Sequence, residues 1–228
     1  MTGIDEAGRG ALIGPMVIAG VTISKINEKK LKKLGVKDSK LLSPKRREEL
    51  YGKIEKLSTN ISIMRVQPCK IDNYRAMGIN LDKIEAMRMA QIIDITSNGS
   101  IYIDSLTNNP KKFKQLVVSF LQNKSADLIC ENYMDESVPV VSAASIIAKV
   151  ERDRAIEELK KEVGFDFGVG YSHDARSIQF VEKLIKDTKG NLPEYIRKSW
   201  VTTETLLENS LQRKLKDFIF GKKEECKE

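Results

Sequence analysis

The sequence predicts an α/β fold in which a mixed five-stranded sheet is flanked by helices and followed by a helical C-terminal extension. The first two predicted strands are close enough in the chain to pair antiparallel, whereas the later strands alternate with helices. With 228 residues, of which 41% are hydrophobic, the chain can also bury a sizeable core. These observations favour a single mixed sheet covered by helices.

The predicted strands are short apolar segments, and two of them end in an acid. The first ends at Asp5, and the fourth ends at Asp104. The third alternates apolar and polar residues, as a half-buried strand does. The five segments are residues 1–5, 15–24, 61–66, 101–104 and 126–131.

The predicted helices of the first half begin at residues that favour helix starts. Ser43 is a suitable N-cap with Pro44 at the first helical position, and Asn80 and Asn109 are suitable N-caps further along the chain. The helix after Asn80 is expected to end near Asn98. The basic segment before Ser43 is predicted to be half helical.

The second half is predicted to be mostly helical. Asp135 lies in an expected loop, and the stretch 138–153 begins extended and becomes a helix with a face of small residues. Residues 164–174 are expected to form a loop, and residues 175–220 a mainly helical tail. Its expected packing residues include Leu207, Leu211 and Leu215.

The net charge of +7 is concentrated in one block of the chain. Between Lys25 and Lys56, twelve lysines and arginines stand against five acids. Such a block attracts polyanions such as nucleic acid, although a solvated lysine-rich face has the same composition.

Cysteine and histidine usage argues against several classes of protein. Cys69, Cys130 and Cys226 are far apart and lack a C-x-x-C pair, so neither a disulfide framework nor a zinc site is indicated, and a reducing, cytoplasmic location is expected. The single histidine, His173, argues against a His-rich zinc site and a Ser–His–Asp hydrolase. Because the chain has neither an apolar run of ~20 residues nor a signal-peptide pattern, no membrane association is expected.

The most informative stretch opens the chain, where two acids, Asp5 and Glu6, are followed at once by Gly8, Arg9 and Gly10. Carboxylates hold hard divalent cations, glycines let a backbone approach a ligand closely, and an arginine can bond phosphate through two donors. The combination predicts a site that binds a metal and a phosphodiester together. A surface turn with solvated charges is the alternative, but the apolar run that follows is typical of a buried strand and favours a site.

The strand order suggests that further acids join this site. Asp5 and Asp104 both terminate predicted strands, and ligands gather at the carboxyl ends of parallel strands. If these strands are parallel neighbours, the two carboxylates converge, with Asp135 on the same side and Glu6 completing a four-acid cluster. Clustered like charges repel strongly, and two divalent ions about 4 Å apart would neutralise them. Such a pair of ions would also bind the attacking oxygen and the leaving oxygen of a phosphoryl displacement. Any one of these acids could instead be a helix cap.

Four motifs, in their order and spacing, resemble those of the ribonuclease HII family, the type 2 ribonuclease H, in its prokaryotic single-chain form. They are the octapeptide at 3–10, Asp38-Ser39-Lys40, Ile103-Asp104, and VSAASIIAKVERD at 141–153. The resemblance covers residues 1 to about 174. It implies a ribonuclease H-like catalytic domain at 1–174, with residues 175–228 as a helical extension packed on it.

The resemblance implies an endonuclease that hydrolyses the RNA strand of RNA–DNA hybrids and incises duplex DNA on the 5′ side of embedded ribonucleotides. It also implies two-metal-ion hydrolysis with Mg²⁺ or Mn²⁺, leaving a 3′-hydroxyl and a 5′-phosphate. The catalytic, metal-binding acids of the family fall on Asp5, Glu6, Asp104 and Asp135.

The substrate-binding positions of the family fall on three parts of the chain. The loop 8–10 matches the family loop that reads the ribose 2′-hydroxyl, the group that separates RNA from DNA. Tyr171 matches a tyrosine that stacks beside the junction of ribo- and deoxyribonucleotides, although Ser172 and His173 replace the usual proline and serine. Phosphate contacts, with simple solvation as the alternative, are suggested for Lys40, Lys149 and Arg152.

The tail carries one further motif. Residues 212–220 fit the pattern Q-x-x-L-x-x-F-[aromatic], except that isoleucine replaces the second aromatic residue. This resembles the peptide by which replication and repair enzymes dock on a sliding clamp, and an ordinary amphipathic helix is the alternative. A monomer is otherwise expected. The implied clamp-binding residues are Gln212, Leu215, Phe218 and Ile219.

Other interpretations make different predictions. Another two-metal nuclease of this fold, such as a junction resolvase or a transposase-type enzyme, is not expected to carry Gly-Arg-Gly directly after the first acids. The type 3 ribonuclease H family has an extra N-terminal domain, whereas here the first strand is predicted from residue 1. A non-catalytic basic nucleic-acid-binding module would bind without Mg²⁺ and without a role for Asp104.

Overall fold

The fold is built on a mixed sheet of five strands. In the computed structural model, residues 1–36, 42–96, 99–105 and 107–220 are described, with side chains up to Gln212. The strands are Thr2–Ala7 (β1), Met16–Ile23 (β2), Ser58–Val66 (β3), Ile101–Asp104 (β4) and Leu128–Glu131 (β5). Their order is β3-β2-β1-β4-β5, and β1 pairs antiparallel with β2 and parallel with β4. The predicted mixed sheet is therefore confirmed.

Helices flank the sheet and form the C-terminal part of the chain. Those of the described residues are Lys25–Lys33 (α1), Pro44–Leu57 (α2), Pro68–Ala76 (α3), Leu81–Asp94 (α4), Pro110–Phe120 (α5), Met134–Ser137 (α6), Pro139–Val163 (α7), Ala175–Asp187 (α8) and Val201–Phe220 (α9). The predicted N-caps Ser43, Asn80 and Asn109 each accept a backbone N–H from the first turn of their helix. None of the helices within the described ranges combines the length and apolar character needed to cross a membrane.

Two helices differ from the predictions in the first half of the chain. The sequence does not predict α3, because Ile71 is one of few buried residues in it and no apolar period marks the segment. α4 ends at Asp94, earlier than the predicted end near Asn98, a residue that lies outside the described part. The N–H of Thr96 bonds the carbonyl of Ile93 and closes the last turn.

Two further predictions around Asp135 are wrong. Asp135 lies on the one-turn helix α6 rather than in a loop. The stretch after it is helical from Pro139, so that the predicted extended start is limited to Val138, the N-cap of α7. A proline at the first helical position costs no backbone hydrogen bond, because the first N–H groups of a helix have no partner within it.

The centre of the sheet is buried on both faces. Side chains alternate along a strand, so β1 supplies residues to two apolar layers. On one face Ile4 packs with Met89 of α4 and Val117 of α5. On the other face Ala7 packs with residues of α7 such as Ile147. The acids of β1 therefore lie between two packed layers of helices.

Helix α7 lies directly on β1. A Cβ added to Gly3 would be 2.4 Å from the backbone of Val140, so no side chain fits between the strand and the helix. Ser142, Ala143 and the residues around them in the first turns of α7 are buried. The predicted small-residue face is confirmed, and it brings α7 within reach of the acids.

A third apolar cluster joins the segment after β1 to the C-terminal helices. Leu12 and Ile13 pack with Phe180 of α8 and with Ile196 in the connection that follows. Ile13 and Ile196 also form an isolated antiparallel bridge. The segment that follows the first acids therefore packs against α8 and the connection between α8 and α9.

Helix α9 contacts the third cluster through Leu207, as predicted. Leu211, one helical turn further along, is 64% exposed, so its predicted packing role is wrong. The side chain of Leu215 lies outside the described residues.

Candidate metal centre and nucleic-acid interface

Three buried carboxylates meet at one edge of the sheet. Asp5, Asp104 and Asp135 each offer an oxygen atom, and the three atoms lie within 4.8 Å of one another. Each of these residues is buried. The structure brings together three of the four acids that the sequence predicts for the metal site.

Asp5 and Asp104 are neighbours because β1 and β4 are parallel. The register pairs the residues that precede the two acids, so both carboxylates lie at the same edge of the sheet. Asp5 accepts a hydrogen bond of 2.8 Å from the N–H of Glu6. Asp104 accepts one of 2.8 Å from the N–H of Met134. Backbone donors therefore hold both side chains in place.

Asp135 reaches the cluster through the single turn of α6. Tyr133, just before this turn, has the left-handed backbone conformation with φ 63°, which turns the chain after β5 towards Asp104. The hydroxyl of Ser142 on α7 donates a hydrogen bond of 2.5 Å to the carbonyl of Asp135. Helix α7 therefore fixes the backbone of the third acid.

Glu6, the fourth predicted acid, lies beside the three-carboxylate cluster. It follows Asp5 on β1, so its side chain points to the other face of the sheet. Burial raises the pKa of Glu6 well above its usual range, and the negative charges of Glu85, Asp5 and Asp104 add to this rise. The charge of Glu6 therefore interacts with those of Asp5 and Asp104, but its carboxylate is not one of the three whose oxygens converge.

The electrostatics of the cluster favour a bound cation. Burial raises the pKa of Asp5 to about 7, and although Lys149 opposes the rise, the charge of Asp104 adds to it. Carboxylates that are costly to ionise together are stabilised by a cation between them. Carboxylate oxygens are also the ligands that Mg²⁺ and Mn²⁺ prefer. The three aspartates therefore fit a divalent metal ion.

The loop of Gly8, Arg9 and Gly10 follows β1 directly. Gly8 has φ 80°, and an added Cβ would lie 2.6 Å from the carbonyl oxygen of Pro15, so packing requires glycine there. An added Cβ at Gly10, which is exposed, would meet no atom within 4 Å. Gly10 therefore lies where a ligand can approach the backbone.

The side chain of Arg9 is held by two acids of α4. Its Nη2 lies 2.5 Å from Asp82 Oδ1, and its Nε lies 2.7 Å from Glu85 Oε1. Burial raises the pKa of Glu85 to about 7, and the charge of Arg9 opposes this rise. The guanidinium is therefore engaged within the protein, although its side chain remains 31% exposed.

A groove of about 730 Å³ lies between this loop and Tyr171. Arg152 lines the groove from α7 but is only 4% exposed, with its guanidinium carbon 4.5 Å from the centre of the Tyr171 ring. Arg152 also donates to the carbonyl of Val169. The ring of His173 stacks on Tyr171 at 5.4 Å. The structure therefore packs Arg152, a predicted phosphate contact, against the predicted stacking tyrosine.

Lys149 lies between the groove and the metal centre. It lines the groove, and its Nζ donates a hydrogen bond of 2.5 Å to the hydroxyl of Ser145. Its charge is close enough to Asp5 to lower the pKa of that acid against the effect of burial. Lys149 therefore lies beside both the groove and the acidic cluster.

The remaining predicted site residues lie away from the acidic cluster or outside the residues and side chains that the structure describes. Gln212 is exposed on α9. Outside the described residues or side chains lie Lys40, Leu215, Phe218 and Ile219.

Two residues at the site are not predicted from the sequence. Glu85 interrupts the apolar stripe of α4 between two buried residues, and this buried-face acid is a signal that could have identified it. Arg197, which is fully buried, donates to the carbonyls of Gly8 and Arg9. It lies outside every motif of the sequence, so no local signal marks it.

Comparison with known proteins identifies one family. The family model for Ribonuclease HII matches residues 2–203. Ribonuclease HII of Methanococcus maripaludis strain C6 is 43% identical over 96% of this chain and 92% of its own length. The crystal structure of ribonuclease H2 from Pyrococcus horikoshii OT3 matches with a TM-score of 0.83 at 37% identity, covering 91% of this chain and 97% of that chain. The structure of the PCNA:RNase HII complex from Archaeoglobus fulgidus matches with a TM-score of 0.80 at 40% identity, covering 90% and 95%.

The mixed five-stranded sheet and the acidic cluster at its edge define a ribonuclease H-like protein whose site can hold a metal ion. The match over nearly the whole chain is more specific. The chain belongs to the ribonuclease HII family, and it is therefore an enzyme, an endoribonuclease with ribonuclease H activity. The predicted family and fold class are confirmed, and the interpretation as a non-catalytic binding module is set aside.

Proposed function

We propose that this protein hydrolyses the RNA strand of RNA–DNA hybrids and incises duplex DNA on the 5′ side of an embedded ribonucleotide. The observation that carries the proposal is the position of three buried carboxylates beside a glycine loop and a groove that reaches Tyr171. The products are a 3′-hydroxyl and a 5′-phosphate.

The acids hold the divalent ions in this proposal. Asp5, Asp104 and Asp135 supply the converging oxygens. Glu6, whose charge interacts with those of Asp5 and Asp104 from beside the cluster, is proposed as the fourth ligand. Bound Mg²⁺ or Mn²⁺ supplies activation of a water molecule and stabilisation of the leaving oxygen. The backbone N–H groups that bond Asp5 and Asp104 keep their carboxylates aimed at a common point. Burial excludes water from the ligands and strengthens their attraction for the ions.

The loop and the groove select the substrate. The loop 8–10 reads the ribose 2′-hydroxyl through backbone groups, which is supported by the open space at Gly10 and by the engagement of Arg9 with α4. Tyr171 stacks beside the junction of ribo- and deoxyribonucleotides, with Arg152 packed against its ring. Stacking of this kind contributes about 1–3 kcal/mol.

Basic residues bind the substrate backbone. Lys149 contacts a phosphate next to the metal centre, since it lines the groove close to Asp5. Lys40 has the same proposed role within the basic block between Lys25 and Lys56, which also attracts the substrate over longer distances. Arg152 is buried, so in this proposal it supports the ring of Tyr171 as well as attracting phosphate through its charge.

The test is Mg²⁺-dependent cleavage of a DNA duplex that contains one ribonucleotide, with wild type beside Asp5→Asn and Asp104→Asn. We expect incision on the 5′ side of the ribonucleotide by the wild type and loss of incision in both variants. An all-DNA duplex is the control for the ribonucleotide, and a branched DNA is the control for a resolvase-type nuclease. A ribonucleotide duplex that is bound but stays intact under both Mg²⁺ and Mn²⁺ would refute the proposed activity.

We also propose that the tail docks on a sliding clamp. The tail fits the clamp-binding pattern at 212–220, and the RNase HII of Archaeoglobus fulgidus has been solved in complex with PCNA. Gln212 is exposed on α9 and accessible to a partner. A pull-down with the clamp compares the full chain, a chain ending at Asn209 and the variant Gln212→Ala. Equal binding by all three would reject docking.

The proposed organisation is a catalytic domain at 1–174 with residues 175–228 as a helical extension packed on it. The contacts of Phe180 and Ile196 with Leu12 support this packing. The protein acts in this proposal as a cytoplasmic monomer. Light scattering is expected to give a mass near 25.7 kDa, and twice that value would contradict the monomer.

A further inference from the structure

The side chain of Arg197 is fully buried beneath the loop 8–10. Its Nη1 donates to the carbonyl of Arg9 at 2.5 Å, and its Nη2 donates to the carbonyls of Gly8 at 2.5 Å and Gly14 at 3.3 Å. Its backbone N–H donates to the carbonyl of Leu12 at 2.9 Å. Arg197, a residue of the C-terminal part of the chain, therefore bonds four carbonyl oxygens in the segment that follows β1.

The position of Arg197 is set by elements far from it in the sequence. Asp72 of α3 accepts hydrogen bonds from the backbone N–H groups of Lys198 at 2.9 Å and Ser199 at 3.1 Å. The hydroxyl of Ser199 also donates to Asp72 at 2.6 Å. The ring of Trp200 lies 4.7 Å from the guanidinium carbon of Arg197. The guanidinium is therefore held on one side by an aromatic ring, while its backbone is tied to α3.

The hydrogen bonds of Arg197 determine where the loop directs its backbone donors. In a trans peptide the C=O and the following N–H point in opposite directions, and the described peptide bonds are all trans. Because the carbonyls of Gly8 and Arg9 point inward to Arg197, the N–H groups of Arg9 and Gly10 point outward. Within the described part of the chain, neither of these N–H groups donates to a backbone carbonyl. Successive backbone N–H groups that point the same way make a site for an electronegative oxygen.

We propose that Arg197 is a positioning residue for ribonucleotide selection, because it aims the N–H groups of Arg9 and Gly10 at the sugar of the substrate. This inference rests on the proposed reading of the 2′-hydroxyl by the loop. A planar guanidinium can bond several carbonyls in fixed directions, whereas an ammonium group has no such fork. Residues beyond 174 are thereby part of the apparatus that distinguishes RNA from DNA.

A purely structural role for Arg197 makes a different prediction. In that case replacing it would weaken binding to every duplex alike, because the whole site would be disturbed. A positioning role affects the ratio of the affinities for two duplexes that differ only in one 2′-hydroxyl. This ratio is therefore the quantity to measure.

The experiment measures the Kd of the full chain for a DNA duplex with one ribonucleotide and for the matching all-DNA duplex. Each protein carries Asp104→Asn so that the substrate is not cut. For Arg197→Lys, we expect the preference for the ribonucleotide to fall roughly tenfold or more, with affinity for the all-DNA duplex nearly unchanged. The matched control is Ile185→Ala, which removes buried atoms from the C-terminal cluster that contains Ile196. It is expected to lower the melting temperature and to keep the wild-type preference.

Three outcomes would overturn the inference. The first is a wild-type preference retained by Arg197→Lys, and the second is an equal fall of the preference in Ile185→Ala. The third is an affinity ratio near one in the protein that keeps Arg197, which would refute the proposed reading of the 2′-hydroxyl itself. If the protein with Arg197 shows a large ratio and Arg197→Lys shows the same ratio, only the positioning role is refuted.

A second variant covers the case in which Arg197→Lys does not fold. Trp200→Leu removes the ring that packs on the guanidinium but leaves Arg197 in the chain. We expect a smaller fall in the preference for the ribonucleotide, because the guanidinium loses its support on one side only. An unchanged preference in a folded Trp200→Leu variant would contradict the positioning role.

Discussion

At the residue scale, burial of acids dominates the chemistry of the site. Desolvation is the largest cause of the raised pKa values of Asp5, Glu6 and Glu85. Such groups favour the protonated form or a nearby cation, because a buried charge without compensation is costly. The site therefore lowers the stability of the metal-free protein and favours metal binding.

Mg²⁺ or Mn²⁺ is expected to stabilise the wild type, since the three converging carboxylates of the proposed metal site come together only in the folded protein. At a free-ion concentration ten times Kd, the free energy of unfolding rises by about 1.4 kcal/mol. Asp104→Asn removes a proposed ligand, so it is expected to weaken this response and to lower cleavage on the order of a thousandfold. Calorimetry with metal and with EDTA measures the response. Asp187→Asn, the same change at an exposed position of α8, is the control. If Asp104→Asn responds to metal like the wild type, the cluster is not the metal site.

Glu85 is expected to make stability depend on pH. Its pKa is about 7 in the folded protein against an ordinary value of 4.5, so the folded state binds the proton more tightly between these values. The free energy of unfolding therefore falls as pH rises from about 4.5 to 7, by about 3 kcal/mol at most from this group.

Glu85→Gln is expected to make this decline shallower, because the titrating group is gone. Urea unfolding across the interval from about pH 4.5 to pH 8 measures the slope. Glu55→Gln replaces an exposed acid of α2 and is the matched control, with a slope equal to that of the wild type. A slope in Glu85→Gln that equals the wild-type slope would contradict the prediction.

At the scale of elements, the contact of α7 with β1 organises the site. The strand carries Asp5, while the helix carries Lys149 and Arg152 and bonds the backbone of Asp135 through Ser142. Close approach is possible because Gly3 has no side chain and the first turns of the helix are small. The distance between strand and helix therefore sets the distance between the acids and the groove.

Gly3→Ala is expected to push α7 away from β1. The added Cβ would meet the backbone of Val140 at 2.4 Å, so we expect a loss of roughly 1–3 kcal/mol in the free energy of unfolding and a fall in cleavage. Gly52→Ala is the matched control, because Gly52 lies in α2 with open space around its Cβ position. That variant is expected to gain roughly 0.5–1 kcal/mol. Urea unfolding and cleavage assays measure both, and equal stabilities for the two variants would contradict the close packing.

At the scale of the whole molecule, the net charge of +7 favours polyanionic substrates. Binding to a hybrid duplex is expected to weaken as salt rises, with a slope set by the number of phosphates neutralised. Lys149→Met is expected to make the log–log slope shallower by about 0.9, the loss of one phosphate contact. Lys186→Met, at an exposed position of α8, is expected to leave the slope unchanged. Fluorescence anisotropy over a salt series measures the slopes, and identical slopes for the two variants would argue against the contact.

The predictable part of the fold depends on residues close together in the chain. Ser43, Asn80 and Asn109 cap their helices as predicted because an N-cap bonds the N–H group of a residue three positions later. Helix α3 is not predicted because its few buried residues do not recur at helical spacing. The turn of α6 is not predicted because Tyr133 adopts a left-handed backbone conformation that its residue type does not suggest.

The sequence by itself determined the family, the approximate positions of the strands, the principal helices and the acids Asp5 of β1 and Asp104 of β4, because motifs, caps and apolar periods are local properties. The structure extends β1 past its predicted end at Asp5 to Ala7. The tertiary structure decided which acids converge, that Glu6 lies beside them, and that Arg152 packs against Tyr171. It also placed Arg197 beneath a loop from which it is separated by 188 positions in the chain. Such contacts depend on how distant segments pack together, and no local pattern of residues encodes that packing.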